Sequence, residues 1–320
     1  MGFFTTVFPP PSVPPPATST FSWLVNQLQF FPILAYARNA STLLSGHGPL
    51  FYTLATLATP TIIYLLSYFI PAIHMALRPV PNLKKRYNAT WALVTGGGSG
   101  IGKALCFKLA SQGLNVVVCS IDDSDLKDTT KELRASYPEL EFREVGISFS
   151  PGVDYMSKIK STTKDITVQC VFNNAGFIVT GFFEQAPLGK HMANLECNAV
   201  ATVPITHHFV SLMAKDNLKG CVVFTSSVAG FIPTPFAAMY ASTKAFVSQF
   251  ACCVHIEVKS LGIDVCAVHP SPVASNFYDK VDHKIELMEA AQKSAVPPQQ
   301  VRLAKPRYRS LDTDSYATNR

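Results

Sequence analysis

Residues 91–121 read WALVTGGGSGIGKALCFKLASQGLNVVVCSI, and this stretch decides the fold. Trp91–Thr95 is a short apolar run, the pattern of a strand buried on both faces. Gly96, Gly97, Gly98, Gly100 and Gly102 follow in a turn that leaves the backbone uncovered. The next segment, KALCFKLASQG, has the spacing of an amphipathic helix and stops at Gly113, a residue suited to the position after a helix end. Residues 115–121, NVVVCSI, are rich in β-branched side chains and predict a second strand. Strand, glycine turn, helix and strand together predict a βαβ unit with parallel strands. At such a turn, backbone N–H groups approach a pyrophosphate closely and the helix N-terminus adds the positive end of its dipole. The unit therefore predicts dinucleotide binding.

The same alternation continues downstream. Strands are predicted at Glu141–Gly146, Val168–Phe172, Gly220–Thr225 and Ile263–His269, and helices over Asp123–Tyr137, Gly189–Lys215, Tyr240–Leu261 and Lys280–Lys293. The fold class is α/β, a Rossmann-like doubly wound parallel sheet; too few strand–helix units follow for an eight-fold barrel. Residues 302–320, RLAKPRYRSLDTDSYATNR, hold no apolar run fit for a buried strand. The expectation is a sheet whose last strand is missing, with its edge covered by a partner subunit in a homo-oligomer or by lipid.

The chain has 320 residues, enough for one sizeable domain and an appendage. Charged residues make up 15%, hydrophobic residues 48%, and the mean hydropathy is +0.20, which excludes a disordered or collagen-like chain. The charge is unevenly spread: Arg38 is the only charged residue in 1–77, and the first acidic residue is Asp122. Residues 9–16, PPPSVPPP, cannot be helical. Residues 21–37 are apolar but interrupted by Asn26, Gln27, Gln29 and Pro32, an interfacial segment or a weak second span. Residues 50–77 carry no Lys, Arg, Asp or Glu and exceed the ~20 residues that cross ~30 Å of hydrocarbon. Arg78, Lys84, Lys85 and Arg86 follow and place that end in the cytosol by the positive-inside rule. The competing readings are a cleaved targeting segment, which lacks its basic start, and a buried hairpin. The expected organisation is a Pro-rich and apolar segment over 1–49, a transmembrane helix over 50–77 and a basic linker over 78–87. A globular domain over 88–300 and a polar tail over 301–320 complete it.

Net charge is +6, but no dense Lys/Arg stripe with interleaved aromatics exists, so nucleic acid is not an expected partner. The eight cysteines all lie from Cys106 onward, inside apolar runs and without a CxxC pair. They read as buried free thiols of a reducing compartment. His207-His208 has no companion ligands at metal-site spacing, and no metal is expected.

Four motifs now stand in order. Thr95-Gly96 with Gly100-Ile101-Gly102 is similar to the TGxxxGIG turn of the short-chain dehydrogenase/reductase family, and Asn173-Asn174-Ala175-Gly176 to its NNAG. Tyr240 and Lys244 form its YxxxK, and Ser227 lies 13 residues before Tyr240. The resemblance covers roughly residues 88–295. It implies that Ser227, Tyr240, Lys244 and Asn198 are catalytic, with Ser227 and Tyr240 contacting substrate. It implies a cofactor held by Gly96, Ser99, Gly100, Ile101, Gly102, Ser120, Asn174, Ala175, Gly176, Tyr240, Lys244, Pro270 and Val273. Tyr240 would be the proton donor to a ketone. Lys244, four residues on and on the same helix face, would favour its phenolate by charge and would bond the nicotinamide ribose. Ser227 would orient the carbonyl oxygen, and Asn198 would hold a water that links Lys244 to solvent.

The turn GIGKAL, the Pro-x-Pro before Tyr240 and the apolar N-terminus resemble one branch of the family. That branch holds the 17β-hydroxysteroid dehydrogenases and very-long-chain 3-oxoacyl-CoA reductases, anchored in the endoplasmic reticulum. The implied activity is reduction of a lipid ketone, a 3-oxoacyl-CoA or a ketosteroid, by NADP(H) or NAD(H). The branch favours NADP(H). Ser120-Ile121-Asp122-Asp123 carries no Arg for a 2′-phosphate, and its two carboxylates favour NAD(H) unless they cap the next helix. Gly146 stands where the family usually has an adenine-contacting Asp, and Ser271 where it has Gly. Phe231, Phe236, Phe277 and Tyr278 read either as cleft lining or as core. The alternative of a different class is a catalytically weak nucleotide-binding membrane scaffold or assembly subunit.

Overall fold

The computed structural model describes residues 48–77 and 81–270 and the single positions 273, 277, 297 and 298. It forms two compact units, residues 1–78 and 79–320. In the first unit, helix α1 runs over Pro49–Leu77. Its Thr53–Ile70 stretch is uncharged and exposed throughout, long and apolar enough to cross a bilayer. Residues 21–37, the weaker apolar segment, lie outside the described residues.

The second unit opens with α2, Leu83–Tyr87. The linker expected over 78–87 is thus partly helical and packed. Asn82 Oδ1 accepts from Lys85 N at 2.9 Å and caps the start, and Asn88, with φ 51°, closes the end through its N–H to Lys84 O. Leu83 and Tyr87 are buried on one side of this turn. Asp264 Oδ2 accepts from Arg86 Nη2 at 2.6 Å and from Tyr87 Oη at 2.7 Å. Composition alone registers the three basic residues; the two apolar ones decide where the turn sits.

Six parallel strands follow: β1 Trp91–Thr95, β2 Asn115–Ser120, β3 Phe142–Gly146, β4 Val168–Asn173, β5 Gly220–Thr225 and β6 Ile263–Val268. Their order across the sheet is β3-β2-β1-β4-β5-β6, so the chain reverses its direction of winding between β1 and β4. Side chains alternate between two cores. Ala92, Val94, Val116, Val118 and Phe172 meet α3 (Gly100–Ala110) and α4 (Ser124–Ser136) through Leu105, Leu109, Leu126 and Leu133. Leu93, Val117, Val145, Val171 and Phe224 pack on the opposite face. Their partners there are Ile159 of α5 (Tyr155–Thr163), Ile205 and Phe209 of α7 (Thr202–Lys215), and Val247 and Ala251 of α8 (Ala238–Val258). The central strands are buried along their whole length because both faces are covered, and the polar exceptions in β4 are bonded, Gln169 to the Tyr87 and Lys219 carbonyls and Asn173 to Thr206.

Two helical expectations and one strand end change. Helix α5 was not predicted: YMSKIKSTT has too few apolar residues for a periodic signal, and the local cue is Asp154, whose Oδ1 accepts from Ser157 N at 3.1 Å. The single helix expected over Gly189–Lys215 is α6 (Leu188–Leu195), a wide turn over Glu196–Val200 and then α7. The wide turn is closed by Ala201 N to Glu196 O at 2.9 Å, and Tyr155 Oη braces it through Glu196 Oε1 at 2.7 Å. The strand expected to reach His269 ends at Val268. Lys280–Lys293 and the polar stretch 302–320 lie outside the described residues, among which the sheet has six strands.

Replacing Asp264 by Ala removes the shared acceptor of Arg86 and Tyr87. The expected cost is ~1–3 kcal/mol, read as a lower urea midpoint of the detergent-solubilised chain, with Asp264→Asn losing less.

Candidate active site

The site lies at the C-terminal ends of the strands, where the winding reverses. Gly96 and Gly100 have φ of +65° and +53°, left-handed values that favour glycine. Gly102 sits against the Gly96 carbonyl, so that any Cβ there would overlap it. This close approach sets the first turn of α3 beside the end of β1. Ser99 makes no side-chain bond to that helix start, which leaves the first-turn N–H groups directed into the turn. Gly97 N donates to Cys119 O at 3.0 Å, and Thr129 Oγ1 donates to Gly98 O at 2.7 Å, so β2 and α4 hold the loop from behind. A helix N-terminus behind a side-chain-free cradle fits a pyrophosphate.

The Asn174-Ala175-Gly176 turn locks onto this loop. Thr95 Oγ1 accepts from Asn174 N at 2.9 Å and from Ala175 N at 3.0 Å. Asn174 Nδ2 donates to Thr95 O at 3.1 Å, and its Oδ1 accepts from Thr225 Oγ1 at 3.0 Å. One amide side chain thus joins the ends of β1, β4 and β5. Gly176 has Asn198 Oδ1 and Lys244 Nζ at 3.0 and 3.4 Å from where a Cβ would stand.

Lys244 is 3% exposed. Its Nζ donates to Thr225 O at 2.7 Å and lies 5.5 Å from the Tyr240 ring centre. Burial lowers its pKa from 10.5 to about 8. Asn198, on the wide turn, clasps the backbone of Phe177: its Oδ1 accepts from Phe177 N at 3.0 Å and its Nδ2 donates to Phe177 O at 2.8 Å. The same Nδ2 reaches Thr243 Oγ1 at 3.3 Å, which donates to Tyr240 O at 2.7 Å. Ser227 Oγ accepts from Ala229 N at 3.2 Å, a contact that does not use its hydrogen. Tyr240 is half-buried in the first turn of α8, with the Phe277 ring centre 5.8 Å away.

At the adenosine end, Ser120 Oγ lies 2.9 Å from where a Gly98 Cβ would stand. Ile121 is exposed. Of the two aspartates, only Asp123 caps α4, its Oδ1 accepting from Leu126 N at 3.2 Å. Asp122 instead lies over Gly146, with its Cβ 2.8 Å from the place of a Gly146 side chain, and pairs with Lys127 at 3.7 Å. Pro270 follows β6 half-buried, and Val273 is buried. Phe231 and Phe236 are not core: they are 66% and 38% exposed. Tyr278 and Ser271 lie outside the described residues. Among the described residues no group of three or more His, Cys, Asp or Glu side chains is placed to hold a metal ion.

Sequence reasoning missed Thr95 and Thr225 as braces and Asn194, whose Nδ2 donates to Phe177 O at 2.7 Å beside Asn198. Thr95 stands inside the motif and was available; Asn194, four residues before Asn198, is separated from it by the start of a turn that spacing does not reveal.

Comparison with known proteins agrees with this geometry. The short chain dehydrogenase family profile matches residues 90–286. The putative steroid dehydrogenase 3 of Caenorhabditis elegans is 29% identical over 229 residues, covering 68% of this chain and 71% of that protein. The very-long-chain 3-oxoacyl-CoA reductase of Rattus norvegicus is 32% identical over 193 residues, 58% of this chain and 60% of that protein. A solved 7beta-hydroxysteroid dehydrogenase superposes with a TM-score of 0.60 at 26% identity, over 68% of this chain and 83% of that one. Sheet order, glycine turn and the profile that spans them agree: the chain belongs to the short-chain dehydrogenase family and is an oxidoreductase of the NAD(P)-dependent type.

Proposed function

We propose that this oxidoreductase reduces a lipid ketone, a 3-oxoacyl-CoA or a ketosteroid, to the alcohol. The observation that carries the chemistry is the buried Lys244 beside Tyr240, with Ser227 at the start of the Val228–Gly230 turn after β5. The dihydronicotinamide, when bound, supplies the hydride. Tyr240 gives its phenolic proton to the carbonyl oxygen, and the Lys244 ammonium favours the phenolate left behind. Ser227 donates its hydrogen to the same oxygen and stabilises the charge that develops there. Asn198 holds the Phe177 backbone and positions a water between Lys244 and solvent. The glycine turn and Asn174 to Gly176 hold the cofactor, Lys244 and Tyr240 its ribose, Ser120 its adenosine end, and Pro270 and Val273 its nicotinamide end.

The substrate class rests on the relatives and on α1. An uncharged helix followed by Arg78 and Lys84 to Arg86 supports an anchor in the endoplasmic reticulum membrane with the body in the cytosol. A substrate that partitions into lipid is then presented where it accumulates. For the cofactor, NADP(H) is favoured by the branch resemblance. NAD(H) is the second reading, and the observation behind it is the Asp122 carboxylate folded over Gly146, which repels a 2′-phosphate.

Membranes that carry the chain oxidise NADPH with a long-chain 3-oxoacyl-CoA or a ketosteroid. Tyr240→Phe lowers kcat by ~10²–10⁴ and weakens cofactor binding, followed by fluorescence, far less, because the glycine turn and Lys244 still hold it. Turnover by neither substrate class contradicts the reading. Since Lys244 loses its proton above a pH of about 8, kcat/KM for reduction falls as pH rises through that value; a profile flat to the ordinary lysine range contradicts the assignment. Titration of both cofactors in Asp122→Ser raises kcat/KM for NADPH by ~5–10-fold, on the scale of one removed like charge, and leaves NADH little changed.

A further inference from the structure

His269 stands where three walls of the site meet, and no role described above uses it. Its Nε2 lies 2.9 Å from Ser248 Oγ on α8. Its ring lies against that of Phe231, with centroids 4.4 Å apart. It immediately precedes Pro270 at the end of β6. Ser248 Oγ is 2.7 Å from Ser226 Oγ and donates to Lys244 O at 2.7 Å. Ser226 Oγ also donates to Lys244 O, at 2.8 Å, while Ser226 N donates to Val268 O at 2.8 Å. Ser226 and Ser248 are 2% and 9% exposed. The Gly230 backbone presses on the same carbonyl, which would lie 2.9 Å from a Cβ at that glycine.

These contacts form one hydrogen-bonded chain from the half-buried His269 at the end of β6, through the buried Ser248 and Ser226, to the peptide group of Lys244. Polar groups this deep are held to fixed geometry, because a hydroxyl that turns away from its partner finds no water. Either tautomer of His269 sustains the chain. With the proton on Nε2 the ring donates to Ser248; without it, Ser248 donates to the ring and Ser226 alone supplies the carbonyl. Phe231 extends the tie to a third element, since it ends the Val228–Gly230 turn that starts at Ser227.

We propose that His269 is a positioning residue that ties the end of β6 to the α8 turn carrying Lys244 and, through Phe231, to the turn carrying Ser227. The three walls of the cleft then hold one spacing. The ring acts through geometry and touches no reacting atom. This inference rests on the reading of Ser227, Tyr240 and Lys244 given above.

The test compares His269→Phe, which keeps a ring against Phe231 but removes the bond to Ser248, with His269→Gln, which restores a polar group there. In the membrane-bound enzyme, His269→Phe lowers kcat by ~10-fold, the scale of coupling between residues in contact, with both KM values within about twofold. His269→Gln recovers most of kcat, and Ser248→Ala costs less in the His269→Phe background than in the wild type, because the link between the two has already been cut. In cofactor-free protein, Ser248→Ala moves the ring ¹⁵N signals of His269. Wild-type kcat in His269→Phe, no recovery in Gln, a full additional loss in the double variant, or unmoved ¹⁵N signals each overturns the proposal. A failed reading of the site shows differently, as a Tyr240→Phe enzyme that still turns over.

Discussion

An ammonium group held almost out of water is the constraint on which the rest of the site depends. Lys244 is 3% exposed and its Nζ leans on one carbonyl, that of Thr225. Burial has pulled its pKa down to about 8 from 10.5. Since a pKa unit is ~1.4 kcal/mol, the charged form is disfavoured by about 3 kcal/mol. The folded value lies below the unfolded one, so the fold carries this cost below a pH of about 8 and sheds it as pH rises towards 10.5. A fold does not keep a buried cation for stability; neutral packing would serve it better. The cost is understandable if the charge does chemistry there.

The surrounding architecture supplies that placement. The sheet reverses its winding between β1 and β4, which opens the crevice above the strand ends. Asn174 ties the ends of β1, β4 and β5 with one amide. The wide turn at Glu196–Val200 brings Asn198 to Phe177, and Gly176 leaves room between Asn198 and Lys244. Small or strained positions cluster where backbone must approach backbone, at Gly96, Gly100 and Gly102. Helix α8, the wide turn and the turn after β5 carry Tyr240, Lys244, Asn198 and Ser227, and buried polar bonds fix them relative to one another, as the proposed chemistry requires.

Much of this was legible in the sequence because it is encoded locally. The glycine turn announces itself within seven residues, and Tyr240 and Lys244 share a helix face by simple periodicity. The strands were legible because burial on both faces makes the central ones mostly apolar. What stayed hidden depends on distant partners. The seating of Arg86 and Tyr87 uses Asp264, far along the chain. The wide turn around Asn198 holds no Gly or Pro of its own; its one local cue is Pro204, which cannot donate to the carbonyl of Val200, and Tyr155, its brace, sits in a helix too polar to register. Asp122 and Asp123 stay undivided between capping and repelling a 2′-phosphate in the sequence, because the space that Gly146 leaves open to Asp122 is visible only in three dimensions. The aromatic residues near Tyr240 read as cleft or core, and exposure places Phe231 and Phe236 outside the core.

The central claim is that Lys244 is a buried, titrating cation beside Tyr240. It is tested most directly by ¹³Cε NMR of the lysine-labelled chain, with Lys244→Arg identifying the signal. The account predicts a half-titration at a pH of about 8 in the cofactor-free protein. A midpoint at the ordinary 10.5 would mean that the side chain is solvated, and would contradict it.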